Sequence, residues 1–500
     1  LNLSSIIDRG ALYFPDKTAL TFGSDRYSYK DLKAAADRVA FYLGERGVRR
    51  GDRIAVYMPN RPEWLAAYYG IIRLGAVAVC IGAAYRKKEI EHLLSESATA
   101  RVITCDELAA QVPEHSTLPS LEDTIVWENE SGLESVFRSR SAAPPNAFTP
   151  VDCDPDDACV ILFTGGTTGA PKGAMLTHRN ILFTAQNVCY HERATPEDKV
   201  LGFLPLHHVF GGNHIMNSLL YSCGTLVLQK SFDMDRMLAA VQAEKITRLY
   251  SVPTVFIRLL NTAGVEKHLS SVHYCFSAAA SMASEIVRRW REQFNLVIHE
   301  AYGMTETASL VTFNHRYRHK IGSVGTPAGV VEVKIVTADD REAAPGESGE
   351  IHIRGPNVMK GYFGKPEETA RVLQNGWLRS GDIGLLDDEG YLFIVDRIKD
   401  LIISGGLNVY PSEVEEILYT HPAVEECAVV GIPHAEYGEA VTAFVKPRQG
   451  QACTEAELIA HCKSQVASYK APKHIQFVEE LPKSPAGKIL KREIRKNRLG

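Results

Sequence analysis

No Cys-x-x-Cys pair and no metal-type spacing occurs among the ten cysteines, which excludes a zinc ribbon or a redox dithiol. Scattered thiols in a long chain predict a reducing compartment, the cytoplasm. No apolar run is long enough for a membrane span: the richest window, 68–85, is broken by Arg73 and carries glycines, so it reads as a soluble helix and a strand. The first residues lack a basic patch followed by an apolar run, so no leader is read there, although one could precede Leu1. Positive charge is not in excess either. A net charge of −5 and a pI near 6.4 leave no global field for nucleic acid, and any anion must be met by a local site. Repeats and low-complexity tracts are absent.

What is present is enough chain for several cores: 500 residues, 45% of them hydrophobic, predict at least two domains. Helical stretches at 29–45 and 62–74 alternate with short apolar strands at 53–57 and 76–80, which predicts a layered α/β body with parallel sheet. Residues 322–391 are dense in Val, Ile and Gly and read as a β-rich, small barrel-like subdomain. After residues 396–400 the texture changes to a strand and turn, a helix opened by Ser412 with Glu415 as its capping-box partner, and hairpin-like strands around 427–445. Residues 107–150, rich in Ser, Pro and acids, read as a surface excursion. The expected fold is α/β: a large N-terminal domain, 1–398, of layered α/β subdomains with a β-rich subdomain at 322–396, then a small α+β domain at 399–500.

The chemistry begins at Thr164, Gly165, Gly166, Thr167, Thr168, Gly169, Ala170, Pro171, Lys172 and Gly173, directly after the apolar run 158–163. Glycines turn backbone N–H groups toward one oxyanion, hydroxyls add donors and Lys172 adds charge, so this is a phosphate cradle. It is not the mononucleotide P-loop, which needs Gly before Lys and Ser or Thr after it, where this chain has Pro171 and Gly173. With the helix start at 175–180, the segment resembles the phosphate-binding signature of the adenylate-forming, AMP-binding superfamily, which includes acyl-CoA synthetases, luciferases and peptide-synthetase adenylation domains. Gly165, where most members carry Ser, is similar to the bacterial long-chain fatty acyl-CoA ligases.

Further motifs follow in the family's order. Tyr302-Gly303-Met304-Thr305-Glu306 joins an aromatic, a hydroxyl and a carboxylate in one turn. The resemblance puts Tyr302 near adenine, Thr305 on the α-phosphate and Glu306 on Mg²⁺, an ion that needs few protein ligands. Ser277, Ala278 and Ala279 occupy the small-residue loop that lies along adenine and borders the acyl pocket, with Ala278 where Gly is common. Asp382 becomes the ribose ligand, joined by Arg397; taken alone, the Asp396-Arg397 pair reads as a surface ion pair. In the run 205–212, His208 maps to the position that lines the acyl-carboxylate site and gates the thiol, whereas His207 reads as a packed side chain. The tail 483–492 is by itself a solvated basic segment, but its Gly487-Lys488 matches the family's terminal motif, whose lysine reaches the active site during adenylation.

The activity implied is ATP-dependent joining of a small-molecule carboxylic acid to coenzyme A through an acyl-adenylate. A mobile C-terminal domain would pivot at Lys399 and bring Gly405 and Gly406 toward the thiol channel, with Tyr437, Tyr469 and Lys473 on the CoA nucleotide. The apolar stretch 209–220, with Gly211 and Gly212 making room, favours medium- or long-chain fatty acids and hence transient membrane contact, though no amphipathic anchor is evident. Aryl acids remain open, as do a carrier-protein acceptor, a luciferase and a non-catalytic sensor.

Overall fold

The computed structural model describes residues 1–127, 148–164, 171–484 and 487–499, with side chains to residue 496. Two seven-stranded sheets form its body. In one, the strand order is Gly361–Tyr362, Lys172–Thr177, Ala158–Thr164, Val77–Ile81, Arg53–Tyr57, Arg101–Cys105, Asp123–Trp127. The alternate side chains of its inner strands enter different cores. Ile54, Val56 and Ala78 face the core shared with the second sheet, while Ala55, Tyr57 and Val79 face the helix Lys87–Glu96, so both faces are apolar. The second sheet runs Ile298–Glu300, Tyr274–Ser277, Arg248–Ser251, Lys199–Gly202, Thr225–Leu228, Thr18–Phe22, Asp25–Ser28. The helix Pro62–Arg73 is buried at every position, in keeping with its all-round apolar surface in the common core.

The expectation of parallel sheet holds for most pairings and fails at the phosphate loop. Ala158–Thr164 and Lys172–Thr177 pair antiparallel, because the few residues between them are too short for the crossover that parallel strands require. The second sheet likewise ends in the antiparallel pair Thr18–Phe22 and Asp25–Ser28. The β-rich segment is an open antiparallel sheet, Glu332–Val336, Gly349–Arg354, Trp377–Leu386 and Leu373–Gln374 with Leu392–Arg397 added along Trp377–Leu386, and among the described residues its pairings do not close a barrel. Part of the predicted surface excursion is sheet: Asp123–Trp127 adds an edge strand beside Arg101–Cys105.

From Ile402 onward a separate core forms, in which Ile402, Val414, Leu418, Val441 and Leu458 pack between the hairpin Val424–His434/Gly438–Pro447 and the helices Pro411–Thr420 and Glu455–Lys463. The expected capping box at Ser412 does not form. Pro411 takes the first helical position, the Ser412 hydroxyl donates to the Val395 carbonyl, and Glu415 instead accepts from the Val429 amide and pairs with Lys491. No cysteine is bridged; eight are buried, and Cys189 and Cys453 are half-buried. Among the described residues no helix is long and apolar enough to cross a membrane.

Arg73 ties three helices together. Fully buried, its guanidinium pairs with Asp37 at 2.6 Å and Asp8 at 2.8 Å and donates to the Phe148 carbonyl at 3.0 Å. Arg73→Ala takes from buried Asp37 one of its two counter-charges, Lys33 staying at 2.6 Å, and empties a fully buried site, so it should destabilise the N-terminal domain by about 2–3 kcal/mol in urea unfolding. A loss below about 1 kcal/mol, the range of exposed pairs, would show that the pair does not hold these helices.

Candidate active site

The neighbouring parallel strands Tyr274–Ser277 and Ile298–Glu300 end in register at Ser277 and Glu300. The segments 277–279 and 302–306 therefore leave from one carboxyl edge, where open α/β sheets form their crevices. Tyr302 is buried and donates its hydroxyl to Asp382 Oδ2 at 2.6 Å. Arg397 Nε lies 3.2 Å from Asp382 Oδ1, because Asp382 and Arg397 face each other across Trp377–Leu386 and Leu392–Arg397. Sheet register thus builds the carboxylate–guanidinium pair.

Glu306 sits with Thr305 on a single 3₁₀ turn, Thr305–Thr307, and accepts the Tyr362 hydroxyl at 2.8 Å; burial pushes its carboxyl above the usual range. Tyr362 was not singled out from the sequence, yet it joins two candidate groups: its ring also carries Lys172, whose Nζ lies 5.1 Å from the centroid. Lys172 is ion-paired with Glu368. Thr164 closes the base of the hairpin through its hydroxyl to the Lys172 carbonyl at 3.5 Å. Gly165, Gly166, Thr167, Thr168 and Gly169 lie outside the described residues.

Lys488 arrives from the C-terminal domain. The Thr254 hydroxyl donates to the Gly487 carbonyl at 3.3 Å. Gly487 has φ +81° and a Cβ there would lie 2.8 Å from Val252 Cγ2, so both backbone and space require glycine. Enclosure and the neighbouring Arg397 push the Lys488 ammonium down to about 7, against the pull of Asp382. His208 is pushed down to about 4 by burial and by Lys488, so it is neutral, and its Nδ1 accepts the Phe210 amide at 3.2 Å. Lys488, Asp382, Arg397, Tyr302 and His208 are thus brought together across the two domains.

Ser277 is buried, and at the adjoining turn Ala279, not Ala278, holds the left-handed backbone, φ +71°. The expectation that Gly211 and Gly212 make room for an acyl chain is corrected: Cβ atoms there would lie 2.3 Å from the carbonyl oxygens of Pro205 and Leu206. Their space belongs to the backbone. The segment Phe210–Asn217 is a wide π-helical turn, buried throughout, with His214 stacked on Phe276 at 4.5 Å and bonded to Glu192 at 3.1 Å. A cavity of about 360 Å³ opens beside His207, walled by Met58, Phe232 and Val255 and rimmed by Lys230, Arg258 and Lys483.

The remaining candidates lie elsewhere. Gly405 and Gly406 form an exposed hairpin turn, which leaves Ile403 and Leu407 about half exposed. Tyr437 packs beside it: its carbonyl accepts the Gly405 amide at 2.8 Å and its ring carries Lys473 at 5.2 Å. Tyr469 packs against the C-terminal core.

The AMP-binding enzyme family matches residues 7–363, and the AMP-binding enzyme C-terminal domain matches residues 413–488. The chain is 35% identical to a long-chain-fatty-acid–CoA ligase of Bacillus subtilis (strain 168), over 98% of this chain and 94% of that one, and 36% identical to a feruloyl-CoA synthase of Amycolatopsis sp, over 98% and 97%. It superposes on ATP-bound MatB from Rhodopseudomonas palustris with a TM-score of 0.91, at 31% identity over 99% of both chains. The apo form of that protein, at 31% identity over 99% and 98%, gives 0.82.

Glu300 supports the small-residue loop by accepting the Met282 amide, and burial pushes its carboxyl up to about 8. The native state then holds a proton that the unfolded chain sheds near 4.5, so stability is greatest below that value and falls as pH rises toward 8. Glu300→Gln should flatten the stability–pH curve across this window. An equally steep decline in the variant would remove Glu300 as its source.

Proposed function

The chain belongs to the adenylate-forming, AMP-binding enzyme superfamily and is an ATP-dependent, AMP-forming acid–thiol ligase, and on that premise we propose that it joins an apolar carboxylic acid to coenzyme A. The observation that carries this reading is the enclosure of Lys488, delivered by one domain, beside the Asp382–Arg397 pair of the other.

A carboxylate resists nucleophiles because its charge is delocalised and its oxygen leaves poorly; adenylation supplies the leaving group. The substrate oxygen attacks the α-phosphorus of ATP and pyrophosphate departs. Asp382 takes the ribose hydroxyls with Arg397 beside it, Tyr302 and the 277–279 turn flank adenine, and Thr305 meets the α-phosphate. Lys172 and the 164–169 loop hold the outer phosphates, while Lys488 neutralises charge that develops between acid and phosphate. Glu306 suits Mg²⁺: it is one buried carboxylate with a single hydroxyl donor, and among the described residues no group of three His, Cys, Asp or Glu gathers, which matches an ion held largely by phosphate and water. Bound there, Mg²⁺ supplies neutralisation of the phosphates.

The thiol must reach the same carbonyl carbon, so Lys488 has to withdraw. The pivot is Lys399, beyond the last strand of the N-terminal domain, at 1–398, and the C-terminal domain, 399–500, turns the Gly405–Gly406 hairpin toward the cavity beside His207. Neutral His208 lines the acid and the thiol's path. Tyr437 and Lys473 offer a ring and a cation to the CoA nucleotide.

Lys488→Ala should slow adenylation, read by pyrophosphate release, by roughly 10²–10³-fold while thioester formation from supplied acyl-AMP persists. Equal loss in both steps would refute the assignment. With its ammonium near 7, kcat/KM for ATP should fall as pH rises through that value, and Lys488→Arg should move this limb upward.

For the acid, fatty acids are the first reading, supported by the long-chain ligases. An aryl acid is the second, on two observations. Alignment to the long-chain ligases runs to 524–535 residues, longer than this chain, whereas the feruloyl-CoA synthases need only 491. The buried packing behind the π-helical turn that follows His208 is also aromatic, with Phe210, His214 and Phe276 in contact. On the first reading kcat/KM should climb by about fourfold per methylene, ~0.8 kcal/mol each, along a straight-chain series until the site is filled. A flat response to length with a strong preference for cinnamates or benzoates would favour the second.

A further inference from the structure

We propose that Glu368 is an internal counter-ion for Lys172, holding the lysine between turnovers so that the phosphates of ATP enter by displacing it and pyrophosphate leaves as it returns. This rests on the reading of Lys172 as a phosphate ligand. The two side chains are ion-paired, and Lys172 is the leading cause that holds the Glu368 carboxyl below its usual range. Of the two other cations that act on Glu368, Lys365 is taken by Glu96 at 2.8 Å and Arg371, on the same helix, contributes least.

The platform beneath Glu368 is fixed. Its helix, Pro366–Val372, is pinned by Thr369, whose hydroxyl accepts the Tyr362 amide at 2.9 Å and donates to the Lys365 carbonyl at 2.9 Å. The same Tyr362 carries Lys172 on its ring and donates to Glu306. Glu368 therefore aims its carboxylate at the lysine from a surface built on the tyrosine that also orders the metal carboxylate. One carboxylate offers two oxygens and a single charge, whereas a polyphosphate offers more of both, so exchange favours the nucleotide. Both partners are about a quarter to a third exposed, which lets Glu368 swing into water when displaced.

Displacement weakens nucleotide binding by whatever the pair is worth, and a partly exposed pair corresponds to roughly two- to fivefold. Calorimetric titration of the full chain with ATP and Mg²⁺, and separately with pyrophosphate, reads this directly. Glu368→Gln and Glu368→Ala should each bind both ligands roughly two- to fivefold more tightly than wild type at low salt, converge with wild type at high salt, and keep KM for the carboxylic acid unchanged. Lys172→Ala separates the two readings. If it binds ATP as well as wild type does, Lys172 is not a phosphate ligand and the functional reading of the loop fails. If it loses binding while both Glu368 variants bind no more tightly than wild type, the counter-ion proposal is overturned and Glu368 only braces the helix.

Discussion

Cations gathered around one carboxylate across a domain boundary are the constraint on which the rest of this molecule depends. Lys488, Arg397 and Lys399 share the neighbourhood of Asp382, and both lysines hold their protons weakly, near 7 and 8, chiefly through burial and next through Arg397. A polyphosphate brought among them reverses that balance, because each ammonium gains a partner for the charge that enclosure disfavours. Among the described residues the seat of the C-terminal domain includes directional contacts from Thr254 to the Gly487 carbonyl, from the Ser284 amide to Glu416 at 2.9 Å, and from Ser412 to Val395 and Asp396.

Much of the fold could be read from period alone. The helix Tyr29–Glu45 has the bounds that its apolar spacing and Ser28/Asp31 capping box dictate, and the strand Arg53–Tyr57 follows from an unbroken apolar run. Misreadings arose where a local signal met a tertiary competitor. Ser412 precedes a plausible capping partner, but its hydroxyl and amide are taken by Val395 and Asp396 of the preceding strand. Gly211 and Gly212 look like open space in one dimension, and only the return of the chain at 205–206 shows what fills it.

The site was legible to the extent that its groups sit in short contiguous motifs. Tyr302, Glu306, Asp382, Arg397 and Lys488 each belong to such a run, and Tyr302, Asp382, Arg397 and Lys488 lie together in the structure. Tyr362 and Glu368 carry no comparable local signal. They reach Lys172 because a two-residue strand, Gly361–Tyr362, leaves the β-rich segment to pair with Lys172–Thr177 in the other sheet, a crossing that no sequence window contains.

The ten unbridged cysteines acquire a meaning from the chemistry they live beside. An acyl-adenylate reacts with thiolates, and a protein that makes one while admitting an external thiol risks acylating itself. Burial raises every cysteine here above its ordinary range, to about 12 at Cys189 and Cys275 and about 11 at Cys462, with the other seven raised as well. At neutral pH the chain therefore presents almost no sulfur nucleophile of its own. Packing thiols as small hydrophobes makes the enzyme chemically silent toward its own activated intermediate, and leaves the incoming acceptor without an internal competitor.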